Sequence, residues 1–290
     1  MPTIRAADGR ELMYAEWGDP GGVPIFSLHG TPGCRLDRPP EEEKVAAAGI
    51  RLVTYDRPGY GGSDRNRGRR VVDCVPDVEA LADALGIDRF GVTGGSGGGP
   101  HGLAVGARLP DRVFGVHSVV CVAPYDAPGL DFLAGMDPEN VKETGWALEG
   151  EDRLTDELVR EEAKLRERVA EDPSTFLADF GLSEGDRAVL EDPRIKAVIV
   201  ESVAEECRRG VQGWVDDDLA FMAPWGFDLE ELRIPVEIRY GATDVLVPAA
   251  HGDWLAAHVP NATVRKEDGQ GHMSGPDEEI GHLARLAGGA

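Results

Sequence analysis

The sequence predicts an α/β fold: a mostly parallel central sheet of about eight strands, helices on both faces, and an inserted helical cap. Three observations point there. Short apolar, strand-like runs alternate with helix-prone segments along most of the chain. The alternation stops between about Pro124 and Trp225, where charged, helix-prone sequence takes over, and it resumes after that stretch. Finally, the 290 residues are 41% hydrophobic, enough to bury one large core carrying an insertion. The expected organisation is a first core part at 1–124, a cap at 125–225 and a second core part at 226–290.

The elements follow in order. Thr3–Ala7 and Arg10–Trp17 flank Asp8-Gly9 and read as a hairpin at the sheet edge. Gly22–Leu28 and Ile50–Tyr55 are the next strands, separated by the helix Glu41–Ala48. Helix Val75–Leu85, strand Arg89–Thr93, helix Gly102–Leu109 and strand Val113–Val122 complete the first part. Within the cap, Leu154–Val169 and Arg194–Arg209 carry the spacing of amphipathic helices, and Pro173, Pro193 and Pro224 punctuate the region. Strands Val236–Tyr240 and Ala262–Lys266 then alternate with helices Ala249–His258 and Asp277–Leu286.

The most informative motif is Gly94-Gly95-Ser96-Gly97-Gly98, a G-x-S-x-G placed directly after an apolar strand and before a helix. A serine on such a turn is held in a strained backbone with its oxygen exposed, and small neighbours keep the turn clear of the adjoining strand and helix. A nucleophilic serine needs a base, an acid that orients the base, and donors for the oxyanion. The chain order for this kind of elbow is Ser, then Asp or Glu, then His. Asp244 follows the strand Val236–Tyr240, and His272 follows the strand Ala262–Lys266, so both fall in loops past strand ends. Oxyanion donors are expected from the Thr31 amide in His29-Gly30-Thr31-Pro32-Gly33 and from the Gly97 amide; Pro32 has no N–H. His29, Gly30 and Gly33 shape that loop, with the His29 side chain bracing it. Asp126 and Asp253 are the competing acids. Among the other histidines, His101 lies five residues past the elbow serine and reads as structural, and His117, His251 and His258 fall within a predicted strand and helix.

Four motifs in this order, HGTPG at 29–33, DRPGYGGSD at 56–64, GGSGG at 94–98 and GATD…GQGH at 241–272, resemble those of α/β-hydrolase-fold proteins over nearly the whole chain. The resemblance is to serine hydrolases of esterase and lipase type with a helical cap, and more distantly to proline iminopeptidases. It implies Ser96 as nucleophile, Asp244 as acid and His272 as base, a cap inserted after the sixth strand, and a structural turn at 56–64. The expected activity is cleavage of a carboxylic ester of a small, largely apolar substrate through an acyl-enzyme. A serine at the elbow argues against the dehalogenases and epoxide hydrolases of this fold, which carry aspartate there. Amide or peptide cleavage of the iminopeptidase type is the alternative, although Thr31 stands where those enzymes carry glycine and Gly97 where they usually carry an aromatic residue. Perhydrolase activity and C–C bond hydrolysis use the same triad. A non-catalytic small-molecule binder is the reading from a different class.

Composition narrows the partners. With 53 acidic against 30 basic residues, the formal charge is −23, which disfavours nucleic acid and anionic membrane surfaces. Residues 126–225 hold 26 Asp and Glu against 11 Lys and Arg, a net of −15, read either as a solvated helical surface or as a field for cationic substrates. No apolar run approaches the ~18 residues of a membrane span, and Met1–Asp8 carries no signal-peptide pattern. A cytoplasmic protein acting on a small molecule is expected. Cys34, Cys74, Cys121 and Cys207 form no C-x-x-C and read as buried thiols, with Cys34 beside the oxyanion loop a candidate to line the pocket. Trp146, Trp214 and Met222 are further pocket candidates. The sequence carries no metal-ligand motif, P-loop or dinucleotide fingerprint, so neither a metal nor a cofactor is expected.

Overall fold

A computed structural model describes residues 2–260 and 262–290; Met1 and Asn261, which fall in segments discussed above, lie outside it. Eight strands form one sheet: β1 (Thr3–Arg5), β2 (Glu11–Gly18), β3 (Val23–Leu28), β4 (Ile50–Tyr55), β5 (Phe90–Gly95), β6 (Val113–Val119), β7 (Val236–Gly241) and β8 (Thr263–Glu267). Their order is β1-β2-β4-β3-β5-β6-β7-β8. Only β2 runs antiparallel to its neighbours, β1 and β4; every later pairing is parallel. Central strands are buried on both faces, so β6 reads as an almost continuous buried run, whereas the edge strand β8, Thr-Val-Arg-Lys-Glu, is largely exposed. From β3 the chain first turns outward to β4 and then returns past β3 to β5. The carboxyl ends of β3 and β5 therefore form the crevice where such sheets bind ligands.

Helices α1 (Glu42–Ala47), α2 (Val75–Ala84), α3 (Gly98–Arg108), α9 (Ala249–His258) and α10 (Pro276–Ala287) cover the sheet. The segment between β6 and β7 contributes α4 (Pro138–Glu149), α5 (Glu151–Glu171), α6 (Glu184–Leu190), α7 (Pro193–Glu206) and α8 (Gln212–Met222). Their starts are written in the sequence. Asp137, Asp192 and Ser183 each accept a backbone N–H from the first turn of α4, α7 and α6, and proline opens α4 and α7. Two apolar clusters tie these helices down. Trp146, Leu154, Leu158, Trp214 and Val215 close over Tyr60, and Leu165, Ile195, Ile199 and Val203 pack with Leu246.

Several boundaries differ from the sequence expectation. Strand β6 ends at Val119 rather than Val122, because Val120 takes φ of 44° and donates its N–H to Arg239 O at 2.8 Å. Helix α3 starts at Gly98 rather than Gly102; its glycines and Pro100 look like a loop, yet all its residues up to Ala107 are buried and the tertiary setting holds them helical. Helices α4, α6 and α8 were not singled out by periodicity. In α8 the run Asp216-Asp217-Asp218 resembles a solvated face, but all three are buried.

Candidate active site

Ser96 sits on the turn between β5 and α3 with φ of 52°, one of two non-glycine residues at positive φ among those described. Such a conformation costs roughly 1–3 kcal/mol and persists only where the surroundings over-determine it. Here the Ser96 amide donates to Val119 O and its carbonyl accepts from the Gly99 amide, both at 2.9 Å. A Cβ at Gly98 would lie 2.0 Å from Leu28 O, and one at Gly94 would lie 2.3 Å from Gly98 O, so the elbow closes only with glycine at both ends.

Asp244 and His272 come from the loops after β7 and β8. Asp244 Oδ1 accepts the Leu246 and Val247 amides at 2.9 Å each, which aims Oδ2 at His272 Nδ1, 2.8 Å away. That bond fixes the proton on Nδ1 and leaves Nε2 as an acceptor. Burial alone lowers the imidazole's pKa; the charge and hydrogen bond of Asp244, with Asp186 adding, outweigh it and hold His272 above its ordinary value. Asp186 belongs to α6, and its Oδ1 accepts the Met273 amide at 2.7 Å. A Cβ on Gly271 would lie 1.9 Å from the other Asp186 oxygen, so the histidine loop is moulded around that carboxylate.

The loop after β3 is held by charge. Arg57 is fully buried. Its guanidinium donates to the carbonyls of His29 and Gly30 and meets Asp217 Oδ2 at 2.6 Å. Asp217, from α8, also accepts from Arg69 at 2.6 Å, Tyr60 Oη at 2.9 Å and Thr31 Oγ1 at 2.7 Å. Burial works to raise the Asp217 pKa, but Arg57 and Arg69 overcome it and hold the carboxyl well below the usual range. His29 points Nδ1 at Gly30 O, 2.8 Å away, and accepts the Arg57 amide on Nε2, and burial beside Arg57 keeps it neutral. His101 likewise binds the Gly97 carbonyl at 2.8 Å and is kept neutral, its pKa lowered to about 3 by burial and by Arg57. Neither the Thr31 nor the Gly97 amide has a hydrogen-bond partner among the described residues. The two residues touch: a Cβ on Gly97 would lie 2.3 Å from Thr31 Oγ1.

The sequence missed Arg57, Asp217 and Asp186. The turn at 56–64 reads as glycine and proline geometry, and nothing local marks Arg57 as buried.

Ser96, His272, Gly30, Thr31, Gly97, Trp146, Trp214 and Met222 all line one cavity of about 500 Å³. Cys34 does not. It is wholly buried behind the cavity wall, where Sγ faces Ser202 O at 3.8 Å; the expectation that it lines the pocket is corrected because the loop turns inward after Pro32. Gly33 also lies outside the cavity, packed against Asp37 and His29. All four cysteines are free and buried. Asp126 is exposed, and Asp253 is engaged by Tyr240 and Lys266.

The family model of the alpha/beta hydrolase fold matches residues 23–279. The chain belongs to the α/β-hydrolase family. Among curated relatives of this α/β-hydrolase, a non-heme chloroperoxidase of Streptomyces lividans is 25% identical over 94% of this chain and 93% of its own. A probable proline iminopeptidase of Leptolyngbya boryana is 34% identical, over only 36% of this chain and 33% of its own. Among solved structures, the enol-lactonase from Burkholderia xenovorans LB400 matches with a TM-score of 0.69 and 20% identity, covering 98% of this chain and 99% of that one. No helix among the described residues is long and apolar enough to cross a membrane. The one metal-like group among them, Glu267, Glu278 and His282, is already bridged by Arg239, which pairs with both glutamates.

Proposed function

We propose that this hydrolase cleaves the carboxylic ester of a small, largely apolar substrate through an acyl-enzyme, with residues 125–225 acting as its cap. The observation that carries the reading is the His272–Asp244 pair and the strained Ser96 opening onto the same cavity. In this mechanism Ser96 Oγ attacks the ester carbonyl while His272 Nε2 takes its proton. The unpartnered amides of Thr31 and Gly97 receive the developing oxyanion, and the imidazolium is stabilised by Asp244. His272 then protonates the leaving alcohol, and in the second half it activates water to release the acid.

The contact between Thr31 and Gly97 supports the ester reading over the iminopeptidase one. The two departures from the iminopeptidase pattern are one spatial exchange: an aromatic residue after the serine and a threonine in the oxyanion loop would compete for the same volume.

Intact mass after exposure to a fluorophosphonate, with peptide mapping, tests the proposal without a guess at substrate. A single adduct on Ser96 that disappears in His272→Ala is expected, together with a roughly 10⁶-fold loss of kcat toward p-nitrophenyl butyrate in Ser96→Ala. Folded protein that takes no label, or Ser96→Ala protein with near wild-type turnover, refutes it.

A further inference from the structure

One wall of the cavity, built by α4 and α8, holds two acids and two indoles. Glu143 and Asp218 both line the space, with their carboxyl groups within hydrogen-bonding reach of each other. Trp214 donates its Nε1–H to Glu143 Oε1 at 2.8 Å, and Trp146, three residues beyond Glu143 on α4, lines the same cavity. Asp218 is only 9% exposed, yet its Oδ2 has no hydrogen-bond partner. Glu206, 2% exposed and also lining the cavity, has an unpartnered Oε1 as well. Two arginines line the cavity, and both are already committed: Arg38 to Glu201 at 2.9 Å and Arg168 to Asp179.

Two carboxyl groups within hydrogen-bonding reach of each other, one buried and one half-buried, resist ionising together without a counter-charge. Burial pushes both carboxyls upward, and the charge of Glu143 adds to the shift at Asp218. Among the described residues no basic side chain lining the cavity pairs with them, whereas the nearby Asp217 is satisfied by Arg57 and Arg69. An incoming ammonium supplies what is missing: N–H donors for the orphaned Asp218 oxygen and for Glu143, and a charge that aromatic faces attract.

The placement relative to the chemistry is close. Phe221 follows Asp218 by three residues on α8, a separation that puts side chains on one face about 5–6 Å apart. Phe221 Cζ lies 3.1 Å from where a Gly97 Cβ would stand. The acid pair thus lies about one side-chain length from the oxyanion donors.

We propose that Glu143 and Asp218, flanked by Trp146 and Trp214, form a subsite for a protonated primary or secondary amine carried on the ester substrate, an inference that rests on the esterase reading above. A quaternary ammonium has no N–H to offer Asp218 and is the discriminating control.

The experiment compares isosteric methyl esters in which an ammonium replaces a methyl group: 3-aminopropanoate against butanoate, and 6-aminohexanoate against heptanoate, by pH-stat. At least one amino ester should exceed its neutral partner in kcat/KM by about tenfold or more, the scale of one charge-assisted pair. That ratio should collapse toward one in the Glu143→Gln/Asp218→Asn double variant, or in Glu143→Gln alone should the double variant not fold. In parallel, hexylammonium chloride should raise the melting temperature of the wild type, more than hexyltrimethylammonium chloride does, and the effect should vanish in the variants. Equal or neutral-favouring ratios with a Ser96 that takes the fluorophosphonate overturn the subsite while leaving the esterase. If neither ester is turned over and Ser96 takes no label, the esterase reading has failed, and the amine-specific thermal shift alone decides whether the subsite exists.

Discussion

Replacing Asp217 by asparagine should harm both stability and turnover. The carboxylate answers two guanidinium groups, Arg57 with a side chain 0% exposed and Arg69 at 2%, and accepts hydrogen bonds from Tyr60 and Thr31. Removing one partner of a buried pair costs about 3–5 kcal/mol, because the remaining charge stays buried without compensation. Asparagine keeps an acceptor oxygen for Thr31 or Tyr60, which favours the lower end of that range. An unfolding entropy near 2.1 cal/mol/K per residue gives about 0.6 kcal/mol/K for this chain, so the melting temperature should fall by about 5–8 °C. Because the folded Asp217 is held below its ordinary value, its contribution is complete above the unfolded pKa and is lost only as pH falls through the depressed folded one. The deficit measured by scanning calorimetry should therefore be the same at pH 6 and pH 8. Turnover should fall too, since Thr31 and Tyr60 then compete for one amide oxygen and the hold on Thr31 weakens; removal of one oxyanion donor, about 10²–10³ in kcat, is the ceiling, with the loss in kcat rather than KM. Asp216→Asn, whose partner Arg65 is 29% exposed, is the control and should cost much less. A melting temperature within about 2 °C of wild type, with kcat within about twofold, would mean that the buried charges are compensated elsewhere and that the oxyanion loop does not depend on α8.

Gly97→Ala should lower kcat by about 10²-fold, because its Cβ must displace a Thr31 hydroxyl that Asp217 holds in place, and misplacement by about 1 Å is worth that much; Thr31→Gly in the same chain should restore part of the loss, and strictly additive effects would refute the steric account. The acid limb of the kcat/KM profile should titrate above the ordinary histidine value, since His272 must be neutral to act as base and Asp244 raises it; Asp244→Asn should move that limb to lower pH, and an unmoved limb would detach it from this pair. Burial pushes Asp37 up to about 6 and Glu279 up to about 7. At these two groups the folded state keeps protons that the unfolded chain has lost, so their own contribution to stability is lost as pH rises from about 4 toward 7, while the buried neutral His101 and His282 work in the opposite direction; scanning calorimetry should therefore show Glu279→Gln gaining melting temperature relative to wild type as pH rises toward 7, and a constant difference would refute it.

The sheet and the three residues at its carboxyl edge were legible in the sequence for a physical reason. Strands buried on both faces leave apolar runs, and Ser96, Asp244 and His272 each follow such a run within a short loop. The elbow helix was legible only in part, because the same glycines that let α3 approach β3 and β5 erase its helical signature. The supports were not legible at all. Nothing local distinguishes Asp217 from Asp216 or from a solvated acid, since its partners Arg57, Arg69 and Thr31 are about 150 or more residues away in the chain. Cys34 was misplaced on the same ground: adjacency in sequence to the oxyanion loop says nothing about which side of the wall a side chain takes.

Two aspartates of the helices between β6 and β7 each hold a loop beside the sheet, Asp217 the one after β3 and Asp186 the one before α10. The helices between β6 and β7 thus act as a keystone rather than a lid. Swinging these helices away as one body would uncouple Thr31 and Met273 together and leave Arg57 and Arg69 without their shared carboxylate. The same constraint reaches evolution: a foreign insertion grafted between β6 and β7 would have to bring its own carboxylates to both addresses before the edge of the sheet could work.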